Sequence, residues 1–348
     1  MGRTNMTDRP LGIGVLGVGR IGAMHAELLE HRVDGAVVRG VFDVNTEGAA
    51  DVARRIGSTP FDSASDLINS PEIDVVAICT STDTHVDLIV EAAAAGKPIF
   101  CEKPISLDLA EVDRALAAVE AAGVPLHIGF NRRFDPSHRA VREAVVDGSV
   151  GELRQVRITS RDPAPPPIAY IEVSGGIFLD MTVHDFDMAR FVTGSEVVDV
   201  YARGSVTVDP AIGTAGDLDT VSVMLTHVNG CVTMIDNCRQ AAYGYDQRVE
   251  AFGSGGVAMS ENHLDHSTII RDESGGATAK VQHFFLDRYI PSYVMQWDAF
   301  VDAVGNGRAT PITGQDGRAP LVIGAAAWRS IREQRPVSIS EFDDGEPG

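Results

Sequence analysis

The segment Gly17-Val18-Gly19-Arg20-Ile21-Gly22 restricts this chain more than any other. It is a G-x-G-x-x-G that follows the apolar run Ile13-Gly14-Val15-Leu16 and opens a helical stretch at Ile21. A strand that turns into a helix on such glycines leaves backbone N–H groups free at the helix N-terminus, a seat for phosphate. Gly17 permits the tight turn, Gly19 lets the backbone approach a pyrophosphate, and Gly22 lets the helix pack closely on the sheet. Asp43 ends the next apolar run, 21 residues past Gly22. A carboxylate there accepts from ribose hydroxyls and repels a 2′-phosphate, and no Arg follows in Val44-Asn45-Thr46. The pattern predicts a dinucleotide site that favours NAD over NADP. A glycine turn with a capping Asp is the plainer reading, but it leaves the agreement of strand, turn, helix and acid unexplained.

The same rhythm continues to Phe130. Apolar runs at Gly12–Leu16, Val37–Phe42, Asp74–Ile78, Pro98–Cys101 and Pro125–Phe130 alternate with helical stretches at Ala23–His31, Glu47–Ile56, Thr84–Ala95 and Leu109–Ala121. Strands without polar alternation are buried on both faces, so a doubly wound parallel sheet is predicted. After one more helix, Pro136–Val146, the pattern turns to extended segments at Leu153–Thr159, Val197–Val208, Thr220–Val228, Cys231–Asn237, Val249–Phe252, Ser267–Arg271 and Lys280–Phe285. Asn229-Gly230 between two of them predicts a type I′ hairpin and antiparallel pairing. Asp162–Pro167, with its prolines, reads as a stiff loop. Helices at Ser292–Val304 and Ala319–Glu333 close the chain. The expected domains are 1–130 and 131–340, with an acidic tail at 341–348.

Lys and Arg number 29 against 49 Asp and Glu, a formal charge of −20. That balance argues against nucleic acid and against anionic membranes as partners. No apolar run is long enough to span a bilayer, and Met1–Pro10 lacks the apolar core of a secretory signal. Cys79, Cys101, Cys231 and Cys238 include no C-x-x-C pair, so they read as free thiols in a reducing cytoplasm.

Lys103, in Cys101-Glu102-Lys103-Pro104, follows the strand run Pro98–Cys101. Ligands of open α/β sheets bind at the carboxyl ends of strands, where a Lys can hold a hydroxyl oxygen. A surface Lys in a strand-to-helix loop is the commoner case from residue type alone. Asp180 and His184 stand at i and i+4, so a single helix would put a carboxylate beside an imidazole, the arrangement of a general base. A surface polar pair, or a buried His satisfied by that Asp, fits the spacing equally. One His between Asp180 and Asp187 is a poor transition-metal set, so no metal is expected. Arg132, at the domain boundary, is a candidate for a ligand held between domains, with a linker salt bridge as the alternative. Tyr245 is either a phenolic donor to a polyol or a packing aromatic.

Together these segments resemble the glucose-fructose oxidoreductase/inositol dehydrogenase/MocA family across nearly the whole chain. The marks are the glycine motif with Asp43 and Val44, Thr80-Ser81 and His85 after the fourth strand, Glu102-Lys103-Pro104, and Asp180-x-x-x-His184. Ser81 departs from the family, many of whose members have Pro there. Within the family, Gly129–Pro136, Ser160–Pro167, Ser174–Asp187 and Tyr243–Gln247 are most like bacterial inositol dehydrogenases. The resemblance implies an N-terminal Rossmann domain and a C-terminal α+β domain, whose large, mostly antiparallel sheet has helices on one face and forms a dimer or tetramer through the other. It implies NAD as cofactor, held by Gly17, Gly19, Arg20, Ile21, Gly22, Asp43, Val44, Thr80, Ser81, His85, Glu102 and Lys103. It also implies oxidation of a cyclic polyol's secondary hydroxyl, foremost myo-inositol to its 2-ketone. Another inositol isomer, a monosaccharide and an anhydro sugar are the alternatives. Lys103 would hold the reacting hydroxyl, His184 would take its proton and Asp180 would orient His184. Arg132, Asp162 and Tyr245 complete the implied substrate set, and the Lys103–Pro104 peptide is implied to be cis. A non-enzymatic NAD-binding regulator would not need Lys103, Asp180 and His184 together. An NAD-retaining glycoside hydrolase would not release NADH in proportion to product.

Overall fold

The computed structural model describes residues 9–273 and 275–342. The chain forms two compact units. The first takes in the chain up to Asn131 together with Pro291–Ala319, and the second takes in Arg132–Ile290 and the chain from Pro320. The single boundary expected near Phe130 does not include this return of Pro291–Ala319 to the first unit.

In the first unit β1 (Leu11–Leu16), β2 (Ala36–Phe42), β3 (Thr59–Pro60), β4 (Val75–Ile78), β5 (Ile99–Cys101) and β6 (Leu126–Ile128) make one parallel sheet, in the order β3-β2-β1-β4-β5-β6. This is the Rossmann order, whose direction of growth reverses between β1 and β4. The crossover helices are α1 (Arg20–Arg32), α2 (Thr46–Ile56), α3 (Ala64–Asn69), α4 (Thr82–Ala94) and α5 (Leu109–Ala122). Every residue of β1, β4 and β5 is buried, as a sheet covered on both faces requires. Asn45, Ser63 and Asp108 accept from free N–H groups at the starts of α2, α3 and α5, and Gly57 and Gly123 close α2 and α5 in the left-handed region. The short β3 and α3 lie outside the sequence reading, because two and six residues carry too little periodicity to register. Ile13, Val15, Leu29, Val41 and Phe100 pack in one core with Trp297, Phe300 and Val301 from far along the chain.

The second unit begins with α6 (Pro136–Val146) and β7 (Leu153–Arg161), then α7 (Ile168–Ile171), α8 (Gly176–Asp180) and α9 (Val183–Thr193). β8 (Val197–Ser205), α10 (Pro210–Thr214), β9 (Thr220–His227), β10 (Val232–Cys238), β11 (Asp246–Gly253) and β12 (Val257–Ser260) follow. The hairpin β13 (Ile269–Asp272) and β14 (Gly275–Thr278) stands apart from the main sheet. α11 (Phe285–Gly305) and α12 (Gly314–Glu333) each run across the boundary between units, and β15 (Val337–Ser338) rejoins the sheet. The sheet order is β12-β11-β7-β10-β9-β8-β15, and only β7–β10 is parallel. On β9 the residues Val221, Val223 and Leu225 are buried while Ser222 and Met224 are exposed, the alternation of a sheet covered on one face.

Three local expectations are corrected. Among Val228, Asn229 and Gly230 only Gly230 has positive φ, and its N–H donates to the His227 carbonyl at 2.9 Å. The turn is therefore type I followed by a left-handed glycine bulge, not type I′. Lys280–Phe285 is not a strand: its only bridge pairs Val281 with Leu264, and Phe285 begins α11. Ser340 and Glu341 belong to a 3₁₀ turn, Ile339–Phe342, in which Glu341 accepts from Arg335 at 2.8 Å. The rest of the expected acidic tail, 343–348, lies outside the described residues.

Asp219 anchors the start of the 209–217 segment. Its buried carboxylate accepts from the N–H groups of Thr207, Val208 and Asp209 at 2.8–3.1 Å. Burial pushes this carboxyl up, but those N–H groups and the Thr220 hydroxyl more than reverse it, leaving it below the ordinary Asp value. A depressed native pKa stabilises the fold above the unfolded value of ~3.9, and that stabilisation is lost as pH falls through the native value. Asp219→Asn is expected to cost about 1–3 kcal/mol at pH 7 in urea unfolding. The difference from wild type should shrink toward acid, and a pH-independent difference would assign the loss to packing.

Candidate active site

The first unit carries the glycine turn. Gly17 has φ +81°, and a Cβ there would lie 2.7 Å from Cys79 and Thr80 backbone atoms. A Cβ on Gly22 would lie 1.8 Å from the Gly17 carbonyl oxygen, whereas one on Gly19 would meet nothing within 4 Å. Gly17 and Gly22 are thus spent on close backbone packing, and Gly19 faces open space. Gly19 begins α1 without a side-chain cap, and the first turn of α1 holds no acidic residue. The turn therefore fits a pyrophosphate. Arg20 is exposed beside it, and Ile21 is half-buried.

Asp43 is fixed from two sides. Its Oδ2 accepts the Val18 N–H at 2.7 Å and its Oδ1 accepts the Asn45 N–H at 2.8 Å. The carboxylate is tied to the glycine turn, where a ribose would stand beside it. Val44 next to it is 92% exposed, an apolar surface for an adenine ring.

Thr80 and Ser81 follow β4, with Ser81 exposed at the start of α4. His85 is buried behind them. Its Nδ1 lies 2.8 Å from the Pro104 carbonyl oxygen and its Nε2 lies 3.1 Å from that of Thr80. Burial holds His85 below the ordinary imidazole value. The ring braces the loops after β4 and β5 against each other from within the fold. Glu102 Oε2 accepts the Lys103 N–H at 3.2 Å, Lys103 itself is half-buried, and the Lys103–Pro104 peptide is cis.

The second unit holds the remaining candidates. Asp180 and His184 do not share a helix: α8 ends at Asp180 and α9 starts at Val183. The Met181 and Thr182 N–H groups both turn back to the Ile177 carbonyl, at 3.0 and 2.9 Å, and this closes α8. The Asp180 carboxylate accepts from the Tyr170 hydroxyl at 2.9 Å and from Arg239 Nη1 at 3.1 Å. Arg239 is wholly buried, and its Nη2 donates to Asp217 at 3.2 Å. Asp217 in turn accepts the Ile177 N–H at 2.9 Å. The loop ending at Asp217 is thereby tied to Asp180 through one guanidinium.

Arg132 is 7% exposed and committed to its own unit. Its Nη1 donates to Asp185 at 2.9 Å and to the Ser160 hydroxyl at 3.1 Å, and its Nη2 reaches the Tyr245 hydroxyl at 3.4 Å. Tyr245 is buried, edge-on to Tyr289. Asp187 accepts from Arg133 at 2.9 Å and is thereby engaged as an ion-pair partner. Sequence reasoning missed Arg239, Asp217, Asp185 and Tyr170 as site supports. The one available signal was charge matching: Arg132-Arg133 pairs in order with Asp185 and Asp187.

Asp162 is half-buried after β7. Burial pushes its carboxyl up to about 6, with Asp180 and Asp185 adding to the rise and Arg132 and Arg239 opposing it. Asp162 thus feels the carboxylates of Asp180 and Asp185 against the guanidinium groups of Arg132 and Arg239.

A Rossmann sheet whose glycine turn fits a pyrophosphate, with Asp43 tied to that turn, defines a dinucleotide-binding protein. The family models place it more closely: residues 11–130 match the oxidoreductase family with an NAD-binding Rossmann fold, and residues 138–259 match the GFO/IDH/MocA C-terminal domain. The chain belongs to this family, and its cofactor is NAD. It is 46% identical over 330 residues to the myo-inositol 2-dehydrogenase of Thermotoga maritima, covering 94% of this chain and 98% of that one. It is similar to the Lactobacillus casei scyllo-inositol dehydrogenase crystallised with NAD(H) and scyllo-inositol, with TM-score 0.88, 26% identity and coverage of 95% and 100%. It is also similar to the L. casei myo-inositol dehydrogenase in complex with NAD(H) and myo-inositol, with TM-score 0.84, 25% identity and coverage of 94% and 96%. Among the described residues no helix is long and apolar enough to cross a membrane.

Two outcomes follow from this geometry. kcat/KM is expected to favour NAD⁺ over NADP⁺, and Asp43→Ser to narrow the gap by removing the charge that repels a 2′-phosphate; equal use of both by wild type would refute the role of Asp43. For Asp162, the raised carboxyl means that its charged form weakens the fold at neutral pH. Asp162→Asn is therefore expected to raise Tm at pH 7, lower kcat/KM, and remove an acid-side inflection near the value of about 6. An inflection that survives the substitution would belong to another group.

Proposed function

We propose that the protein oxidises a secondary hydroxyl of a neutral cyclic polyol, foremost C2 of myo-inositol, giving 2-keto-myo-inositol. The observation that carries this reading is the 46% identity to the T. maritima myo-inositol 2-dehydrogenase over almost the full length of both chains. The composition of the second unit's site supports it: carboxylates at Asp162 and Asp180, a phenol at Tyr170, and an imidazole at His184. Ring hydroxyls each donate and accept, so such a mixture suits a polyol. The charge of −20 disfavours sugar phosphates and acids at long range.

In this mechanism Lys103 donates to the reacting hydroxyl oxygen and holds it. His184 takes the hydroxyl proton as the carbon–hydrogen bond breaks. Asp180, itself held by Arg239 and Tyr170, orients His184. NAD⁺, when bound, accepts the hydride. Arg132, held through Nη1 by Asp185 and the Ser160 hydroxyl, belongs to the same proposed substrate set. The open face of the large sheet, with Met224, Met234, Phe252 and Met259 exposed, supports a homodimer or homotetramer formed through it.

The test is NADH formation at 340 nm across myo-, scyllo- and D-chiro-inositol, glucose, xylose and galactose. Myo-inositol is expected to give the highest kcat/KM, with weak activity on pyranoses that share its equatorial hydroxyls. The likeness to the scyllo-inositol enzyme makes scyllo-inositol the second reading. His184→Ala and Lys103→Ala are each expected to lower kcat on the order of 10²–10⁴-fold with NAD⁺ binding kept. Near-wild-type turnover in the His184 variant would place the base elsewhere. Efficient oxidation of a monosaccharide alone would overturn the inositol assignment.

A further inference from the structure

A buried polar chain in the first unit ends at the backbone of Lys103. Trp297 Nε1 lies 2.8 Å from His25 Nδ1, His25 Nε2 lies 2.7 Å from Glu102 Oε1, and Glu102 Oε2 accepts the Lys103 N–H at 3.2 Å. The direction of every bond is determined. An indole N–H only donates, so His25 Nδ1 is the acceptor and the ring's other nitrogen, Nε2, carries the proton given to Glu102. Glu102 then accepts one hydrogen bond from the imidazole and one from the peptide.

The chain is also sterically closed. Trp297 and His25 are wholly buried. Trp297 stacks on Phe100 at 4.1 Å between centroids, and His25 stands edge-on to Phe100 and Tyr293, each at 5.3 Å. The Glu102 carboxylate lies where a Cβ on Gly129 would be, 2.9 Å away, so any side chain at position 129 would displace it. A carboxylate held by one buried imidazole and packed on a glycine thus stands just after β5, at the residue that precedes Lys103.

We infer that Glu102 is a positioning residue for Lys103, and that its own orientation is set by His25 and Trp297. This rests on the reading of Lys103 as the group that holds the reacting hydroxyl. A lysine has four rotatable side-chain bonds, so its reach is reproducible only if the backbone it starts from is fixed. The carboxylate fixes that backbone, and the indole on α11 fixes the carboxylate through the imidazole. A small misplacement of a reacting group costs rate rather than cofactor affinity.

The test uses Trp297→Phe, which keeps an aromatic ring against Phe100 and deletes the N–H, and Glu102→Gln, which keeps the shape but replaces one acceptor oxygen with a donor NH₂. Each is expected to lower kcat on the order of tenfold, the scale of one hydrogen bond, with the Kd for NAD⁺ unchanged. Because both act through one chain, the double variant should fall no further than the weaker single variant. Val301→Ala, on the same helix and in the same core but outside the chain, should lower Tm without lowering kcat. Nitrogen-15 NMR of labelled histidines should show His25 in wild type with its proton on Nε2. Wild-type kcat in Trp297→Phe, multiplicative losses in the double variant, or a proton on Nδ1 of His25 would each overturn the inference. If Trp297→Phe does not fold, the wild-type His25 signal and Glu102→Gln still decide it. Turnover is measured with whichever polyol the wild type oxidises fastest, so a wrong substrate leaves this test intact. A wild type inactive on every polyol would instead sink the functional reading, while the His25 measurement would still judge the chain.

Discussion

The distance between two backbones at the first turn sets what this protein can bind. At Gly22 helix α1 comes so close to the Gly17 carbonyl that even a methyl group would overlap it. That contact aims the uncapped end of α1 past Gly19, and it places the Val18 N–H where Asp43 can accept it. The glycine turn and the Asp43 carboxylate are therefore one object rather than two motifs. The rest of the first unit follows the same economy. Loops after β4 and β5 are cross-braced by buried His85, and the backbone of Lys103 is held by Glu102.

The second unit is organised by charge. Arg132 with Asp185, Arg133 with Asp187, and Arg239 with Asp180 and Asp217 are all largely buried pairs. Breaking such a pair by removing one partner typically costs about 3–5 kcal/mol, because a charge is left without compensation. These arginines are therefore structural commitments, and their carboxylates are held in fixed directions. Asp180 is held from two sides, since Arg239 and Tyr170 donate to its two oxygens from different elements. Asp162 lies within electrostatic range of both Asp180 and these arginines, which is why its protonation answers to the whole cluster.

Local backbone rules made much of this readable from the chain. The glycine turn, Asp43 and the buried strands of the first sheet depend on residues close in sequence, and Pro136–Val146 begins and ends where its Asp135 cap and apolar spacing place it. The parallel order of the sheet followed from the alternation of strands and helices. The misses share a different cause. Asp180 and His184 have helical spacing, but the break between α8 and α9 is made by backbone bonds to Ile177 that spacing does not reveal. Asn229-Gly230 carries an I′ signature, yet the hairpin accommodates a type I turn with a glycine bulge. Arg239 follows a strand like any surface cation, and only its distant partners, Asp180 and Asp217, show that it is buried. The periodicity of α11 shows which of its faces is apolar, but not that Trp297 packs in the first core.

In the proposed reaction a hydride leaves a ring carbon of a polyol for the cofactor bound at the glycine turn. Myo-inositol carrying deuterium at C2, incubated with enzyme and NAD⁺, tests it most directly. Deuterium is expected at C4 of the nicotinamide, one per ketone formed, with a primary isotope effect wherever the chemical step limits turnover. Deuterium released to solvent, or ketone formed without labelled NADH, would contradict it.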